Sequence, residues 1–221
     1  YETYVMPCVA EFVGLVIFVF IGTMVCSIVT GYTTAGSMWL LAIALAHGLT
    51  IALLIVSIGH ISGGHLNPAV TLGITLAGGV TVLQGICYVI SQLLGAMVGA
   101  AFTRAIMPNA TYAACSGGAH AIGGGMSITG AILCESILTM ILVLTVLLSA
   151  VDSSTTGKAL PPLAIGLAVA VGIMAGGPFS GASMNPARAF GPAVAAGVWK
   201  NHYVWWAGPI IGALVAGLIY R

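Results

Sequence analysis

Apolar residues dominate the chain in six long runs, near 5 to 29, 38 to 59, 81 to 106, 127 to 151, 159 to 177 and 202 to 220, and the breaks between them carry Gly, Pro, Ser or a charge. Runs of this length match the roughly 20 residues that take a helix across about 30 Å of hydrocarbon. The pattern therefore predicts six membrane-spanning helices. The run from Val5 to Val29 lacks a basic start and is too long for the apolar core of a cleavable leader, so it is read as the first span. Two segments break the pattern: "HISGGHLNPAVTLG" at 60 to 73, between the second and third runs, and "PFSGASMNPARAFG" at 178 to 191, between the fifth and sixth. Each is too short and too glycine-rich to be a span.

The two segments are copies of one another. Asn67 and Asn185 stand 118 residues apart, Glu11 and Glu135 stand 124 apart, and "SQLLGAMVGA" at 91 to 100 overlays "GPIIGALVAG" at 208 to 217 with an offset of 117. Each half holds three spans and one insertion, so the second half enters the membrane from the opposite face. An all-α integral membrane protein follows, with six transmembrane helices and two re-entrant half-helices in an inverted repeat. A single transmembrane domain over 1–221 is expected, with repeats of approximately 1–106 and 127–221 joined by the loop 107–126.

Helix-end chemistry explains why the copies share Asn-Pro-Ala, at Asn67, Pro68, Ala69 and at Asn185, Pro186, Ala187. Asn is a favoured N-cap, and Pro at the first helical position has a preset φ and no N–H to leave unpaired. Each tripeptide should start a helix of about 11 residues, ended by Gly78-Gly79 in one case and Gly197 in the other. At 1.5 Å per residue, two such helices end to end reach roughly 33 Å, one hydrocarbon thickness. They would meet N-terminus to N-terminus near the midplane, each contributing about half a positive charge there. The backbone leading into them, through Gly63, Gly64, His65 and Leu66 and through Gly181, Ser183 and Met184, would carry carbonyls at membrane depth. That is tolerated only where they line a wet path or are paired inside the protein.

Composition narrows the class further. The chain is 60% hydrophobic and 4% charged, with a mean hydropathy of +1.15, far outside the range of soluble domains. The net charge of +1 gives no attraction to nucleic acid. The placement is a multi-pass protein of the plasma membrane or an organelle membrane, whose partners are the bilayer and the molecules that cross it. Cys8, Cys26, Cys87, Cys115 and Cys134 lie mostly inside apolar runs, in no CxxC spacing, and are read as packing thiols. Arg104 and Lys200 fall on one side of the topology and Lys158 and Arg221 on the other, which leaves orientation tied. The sequon Asn109-Ala110-Thr111 breaks the tie: as an N-glycosylation acceptor it puts the loop 107–126 outside the cytosol.

Three charges sit at membrane depth. Arg188, directly after the second box, is the only charged residue in either insertion, and an intramembrane arginine is costly enough to mark a functional site. Glu11 and Glu135 are duplicated and are expected to brace the loops by accepting hydrogen bonds from their N–H groups. His60 and His65 lack a cysteine or carboxylate to complete a metal site. No catalytic constellation or cofactor motif stands out, so neither an enzyme nor a cofactor is predicted.

With its two boxes, paired glutamates and six spans, the chain resembles the aquaporins, or major intrinsic proteins, over essentially its whole length. "SGGHLNPAVT" and "SGASMNPARAFGPA" carry the likeness. The resemblance implies a passive channel in a homotetramer, one pore per subunit, that conducts water and other small neutral solutes while excluding protons and ions. It places a selectivity filter at His47, Ile173, Ala182 and Arg188, and puts His65 at the pore mouth. Ordinary water channels of the family carry Phe at the second-span position and His at the fifth-span one. The set here resembles instead the aquaporin-eight type of animals and some plant vacuolar members, associated with ammonia and hydrogen peroxide as well as water. Ala189 stands where glycerol channels carry Asp, which disfavours glycerol. A pore-facing His47 titrating near pH 6 to 7 would add a second positive charge beside Arg188 and make selectivity depend on pH. The competing reading is a secondary transporter coupled to protons through Glu11 and Glu135. Tight small-residue packing, such as Gly95 with Gly99, suits a fixed scaffold better than two alternating shapes. His120 and His202, in or near loops, are expected to be ordinary.

Overall fold

The computed structural model describes residues 4–27, 38–154 and 159–221. Positions 28 and 29 of the first expected span and Lys158 lie outside the described residues. The helices are α1 (Val5–Val25), α2 (Met38–Ser62), α3 (Pro68–Leu76), α4 (Val82–Ile106), α5 (Asn109–Ala114), α6 (Ile128–Val146), α7 (Pro161–Gly176), α8 (Pro186–Ala196) and α9 (Val204–Tyr220). A π turn, Leu147–Val151, extends α6. The helices α1, α2, α4 and α6 with its π turn are long and apolar enough to cross a membrane, whereas α7 and α9 are apolar but shorter, at 16 and 17 residues. The half-helices α3 and α8, at 9 and 11 residues, complete the set.

Helix starts follow from cap chemistry. The Thr81 hydroxyl accepts from the N–H of Gln84 at the head of α4, and the Ser127 hydroxyl accepts from that of Gly130 at the head of α6. Each span then sorts its faces. On α1, Val9, Val13, Ile17 and Ile21 form an exposed stripe at four-residue spacing, while Glu11, Gly14, Leu15, Phe18, Gly22 and Thr23 turn inward. The outward face is uniformly large and apolar, while the inward face mixes small and polar residues with Leu15 and Phe18.

The packing repeats itself across the two halves. α1 lies on α4 as α6 lies on α9, α1 on α2 as α6 on α7, and α4 on α8 as α9 on α3. On the pseudo-twofold axis, α2 crosses α7 at Gly48 and Gly166. A Cβ on either glycine would stand 2.4 Å from the other's carbonyl oxygen. The flanks match as well: a Cβ on Gly95 would meet the Phe12 carbonyl at 2.3 Å, and one on Gly212 the Ser136 carbonyl at 2.3 Å. These contacts hold six helices around α3 and α8.

The segment 107–126 is more ordered than a simple connecting loop. It contains α5 and a turn at Ser116–Gly118, and it returns across the second insertion, where the Gly123 N–H donates to the Phe179 carbonyl (2.7 Å). Asn109 is exposed at the first position of α5, its Oδ1 accepting from Arg104 (2.7 Å).

Candidate functional site

The centre of the molecule is built from the two boxes. Asn67 has an extended backbone and caps α3: its Oδ1 accepts from the N–H of Ala69 at 2.8 Å. Asn185 caps α8 in the same way, its Oδ1 accepting from Ala187 (3.0 Å) and Arg188 (3.1 Å). The remaining amide groups cross over. Nδ2 of Asn67 donates to the Met184 carbonyl at 2.7 Å, and Nδ2 of Asn185 donates to the Leu66 carbonyl at 2.8 Å. Each box thus ties down the residue preceding the other, so that the two helix N-termini meet. Each amide keeps a second N–H, and both asparagines line the same cavity of about 540 Å³.

Behind the boxes the two insertions are held by carboxylates. Glu11 Oε1 accepts from the Ser62 hydroxyl (2.7 Å) and the His65 N–H (2.9 Å), and Oε2 accepts from the Leu66 N–H (2.6 Å) and from Gln92 Nε2 (2.8 Å). Glu135 repeats the pattern with the Ser180 hydroxyl (2.8 Å), the Ser183 N–H (2.9 Å) and the Met184 N–H (2.8 Å). Both carboxylates are wholly buried and line neither cavity. A charge removed from water is tolerable when several N–H and O–H donors surround it. These bonds also bend the backbone: Leu66 (φ 51), Ala182 (φ 46) and Met184 (φ 53) adopt left-handed conformations that cost a non-glycine residue about 1–3 kcal/mol each.

The bend points carbonyls away from partners. Tyr88 donates to the Ser62 carbonyl and Trp205 to that of Ser180. Among the described residues no group donates to the carbonyls of Gly63, Gly64 and His65, nor to those of Gly181, Ala182 and Ser183. Gly63, Gly64, His65, Met184 and Ser183 line the larger cavity, and Gly181, Ala182 and Ser183 line a second one of about 240 Å³. Phe18, Val169 and Ser183 face both. One wall of the larger cavity is apolar, with Ile51, Ile55, Leu142, Val146 and Ile165. A molecule in it meets acceptors on one side and hydrocarbon on the other.

The smaller cavity brings together His47, Ile173, Ala182 and Arg188, the four residues that the resemblance grouped. Arg188 is 5% exposed. Its Nε donates to His47 Nε2 at 3.1 Å, while the other His47 nitrogen, Nδ1, lies 2.9 Å from the Ile43 carbonyl. That pair of bonds fixes the ring as the Nδ1–H tautomer, because a guanidinium can only donate. The second positive charge that the sequence placed on His47 would require a proton on Nε2, which would break this bond and set two cations face to face. Gly22 makes the arrangement possible, since a Cβ there would stand 2.5 Å from Nε2.

Three further partners of Arg188 come from outside the expected set. Its Nη1 donates to the Gly118 carbonyl (3.1 Å) and lies 3.5 Å from His120 Nδ1, and its Nη2 faces Cys26 Sγ at 3.9 Å. From its place in the sequence His120 is expected to be an ordinary loop residue. The structure instead puts it in the smaller cavity, where its ring packs on Trp205 at 5.5 Å. Burial pushes the His120 imidazole well below the usual histidine range, and Arg188, His47 and His202 act in the same direction. The signal available in the sequence was the glycine pair Gly117-Gly118, both at positive φ, which lets the chain turn back toward the insertion. His202, by contrast, belongs to an aromatic cluster with Phe190, Trp199, Trp205 and Trp206.

Comparison with known proteins is consistent with this geometry. The sequence model of the family described as Major intrinsic protein matches residues 2–220. The chain is 47% identical to Aquaporin-8 of Mus musculus, an alignment that covers 100% of this chain and 83% of that protein. It is 42% identical to Aquaporin TIP4-4 of Zea mays, covering 98% of this chain and 85% of the relative. Among solved structures, the aquaglyceroporin from Plasmodium falciparum superposes with a TM-score of 0.81 at 27% identity, covering 98% of this chain and 95% of that one.

Proposed function

The chain belongs to the major intrinsic protein family, and on that premise, which makes it a passive membrane channel for water and small neutral solutes rather than an enzyme, we propose that it passes ammonia and hydrogen peroxide as well as water and rejects protons and ions. The observation that carries this reading is the set of four in the smaller cavity: His47 bonded to Arg188, with Ile173 and Ala182 beside them and no Phe, Tyr or Trp among the four, although Phe18 and Trp39 line the same cavity. An imidazole in place of a phenyl ring makes that wall smaller and more polar, which suits solutes slightly larger than water that both donate and accept hydrogen bonds. Cations meet the guanidinium there and two helix N-termini at the boxes, an arrangement that opposes proton and cation passage.

The same reading takes the chain as one channel domain with repeats at 1–106 and 127–221, assembled as a homotetramer with a pore in each subunit. Exposed apolar stripes, such as Leu41, Leu45, Leu49 and Leu53 on α2, suit contact with either lipid or a neighbouring subunit. Asn109 is exposed and suits glycosylation. The deciding experiment is a proteoliposome panel of water, ammonia, hydrogen peroxide, glycerol and urea. The expected result is flux of the first three at low activation energy, unaffected by an imposed proton gradient. Glycerol belongs on the panel because one structural relative is an aquaglyceroporin. Glycerol flux equal to that of ammonia would overturn the proposed range, and flux driven by the proton gradient would overturn passive conduction.

A further inference from the structure

The two halves of the pore are not chemically equivalent, and the difference lies in a buried network behind the first box. Thr71 Oγ1 donates to the Asn67 carbonyl at 2.9 Å, accepts from Gln92 Nε2 at 3.0 Å, and lies 3.2 Å from His65 Nδ1. Gln92 cannot be turned round, because its Nε2 also donates to Glu11 Oε2 at 2.8 Å and an amide oxygen there would face a carboxylate. A hydroxyl has one hydrogen and two acceptor lone pairs. With its hydrogen on Asn67 and one lone pair on Gln92, Thr71 has only a lone pair left for His65, so Nδ1 of His65 must carry the proton. Nε2 then holds the bare lone pair.

That lone pair has somewhere to point. Among the described residues, Nε2 of His65 has no partner, and the fully buried side-chain nitrogen and oxygen atoms without a partner are Gln92 Oε1 and Thr139 Oγ1. Nε2 is thus not sealed in protein but reaches the larger cavity, which His65 lines. Tyr88 holds the ring edge-on at 5.0 Å, and Tyr88 is itself fixed by donating to the Ser62 carbonyl. The second half has no counterpart of this His–Thr–Gln set: with offsets of 118 and 117, His65, Thr71 and Gln92 correspond to Ser183, Ala189 and Pro209. In the second half Ser183 donates to the Asn185 carbonyl, and the charged donor Arg188 dominates.

We propose that Thr71, itself held by Gln92, is a positioning residue that locks His65 as the Nδ1–H tautomer and so presents an acceptor nitrogen, Nε2, to molecules in the larger cavity. The proposal rests on the channel reading above. It makes the pore polar in a chemical sense, with a fixed donor at Arg188 and a fixed side-chain acceptor at His65, beyond the carbonyls that both halves share. Molecules that present a hydrogen, as water, ammonia and hydrogen peroxide all do, gain a bond at His65. Molecules with only acceptors gain none.

The test uses protein labelled with ¹⁵N at histidine, reconstituted in vesicles and read by solid-state NMR, with His65 assigned by correlation to its neighbours. The expected wild-type spectrum has a protonated Nδ1 and a bare Nε2 at His65. Thr71→Val should give a mixture of tautomers and a water permeability lower by about five-fold, the equivalent of one ordinary hydrogen bond. Thr71→Ser should restore both. A wild-type His65 protonated on Nε2 overturns the proposal without need of any variant, as does a pure Nδ1–H tautomer in Thr71→Val. A shifted tautomer with unchanged flux overturns the part assigned to Nε2 in conduction. Wild-type vesicles that pass no water would sink the channel reading instead, and the spectrum would still decide the tautomer.

Discussion

Replacing His47 by Phe removes the acceptor of Arg188 Nε and fills the notch left by Gly22 with a larger, apolar ring. Water should still pass, whereas ammonia and peroxide flux should fall about ten-fold relative to water, the usual scale for one changed contact in a tight site. An unchanged ammonia-to-water ratio in proteoliposomes would show that His47 does not set the range. Glu135→Gln acts elsewhere. It replaces one of the two accepting oxygens by an NH₂ that must face a backbone N–H, that of Met184 when the amide oxygen keeps Ser180 and Ser183, so stability should drop on the order of 3 kcal/mol. Glu11→Gln, whose NH₂ faces two donors whichever way the amide is turned, should cost more. Melting in detergent checks the order, and a Glu135 variant as stable as wild type would show that the loop holds without its brace. Arg188 and the boxes were legible because their chemistry is local, a cap and a charge in a segment with no other charge. His120, Gly118 and Gln92 were not, since they reach the site across 68, 70 and 81 residues of chain by folding alone.

At the scale of elements, hydrophobic runs located all six spans because lipid demands an apolar surface along the whole length of each. Their ends were less legible. The first half-helix stops at Leu76, two residues before Gly78, and the last two spans are shortened by turns at 177–180 and 199–203 that position Ser180 and Trp205 for the bond between them. What the runs could not show is how close the helices approach. Gly212 packs against the α6 backbone so tightly that an alanine Cβ would sit 2.3 Å from the Ser136 carbonyl and 2.9 Å from the Met140 nitrogen. Gly212→Ala should therefore force α6 and α9 apart and destabilise the protein by about 1–3 kcal/mol, the common cost of overpacking. Gly78→Ala meets no atom within 4 Å and suffers only its positive φ, so it should be the milder change. Equal melting temperatures for the two variants would argue against close backbone contact as the clamp between these helices.

For the whole molecule, the question is what would keep a water-conducting path closed to cations. The carboxylates Glu11 and Glu135 stand behind the insertions, outside both cavities, while the helix N-termini of α3 and α8 face the larger cavity through Asn67 and Asn185. Two half charges make about one positive charge at the centre. A cation about 4 Å away at an effective dielectric of about 20 meets a barrier of about 4 kcal/mol, or roughly a thousand-fold in rate. Asn185→Asp puts one negative charge at that spot and cancels the barrier at its source. Sodium or proton leak through reconstituted vesicles should then rise by two to three orders of magnitude, about the full Coulomb term, while osmotic water flux in the same vesicles persists and certifies the fold. The substitution leaves Arg188 in place, so the size of the rise divides the task between centre and filter. A variant that conducts water but stays as tight to cations as wild type would move the barrier to Arg188 and His47, and Arg188→Val should then open the leak that Asn185→Asp did not.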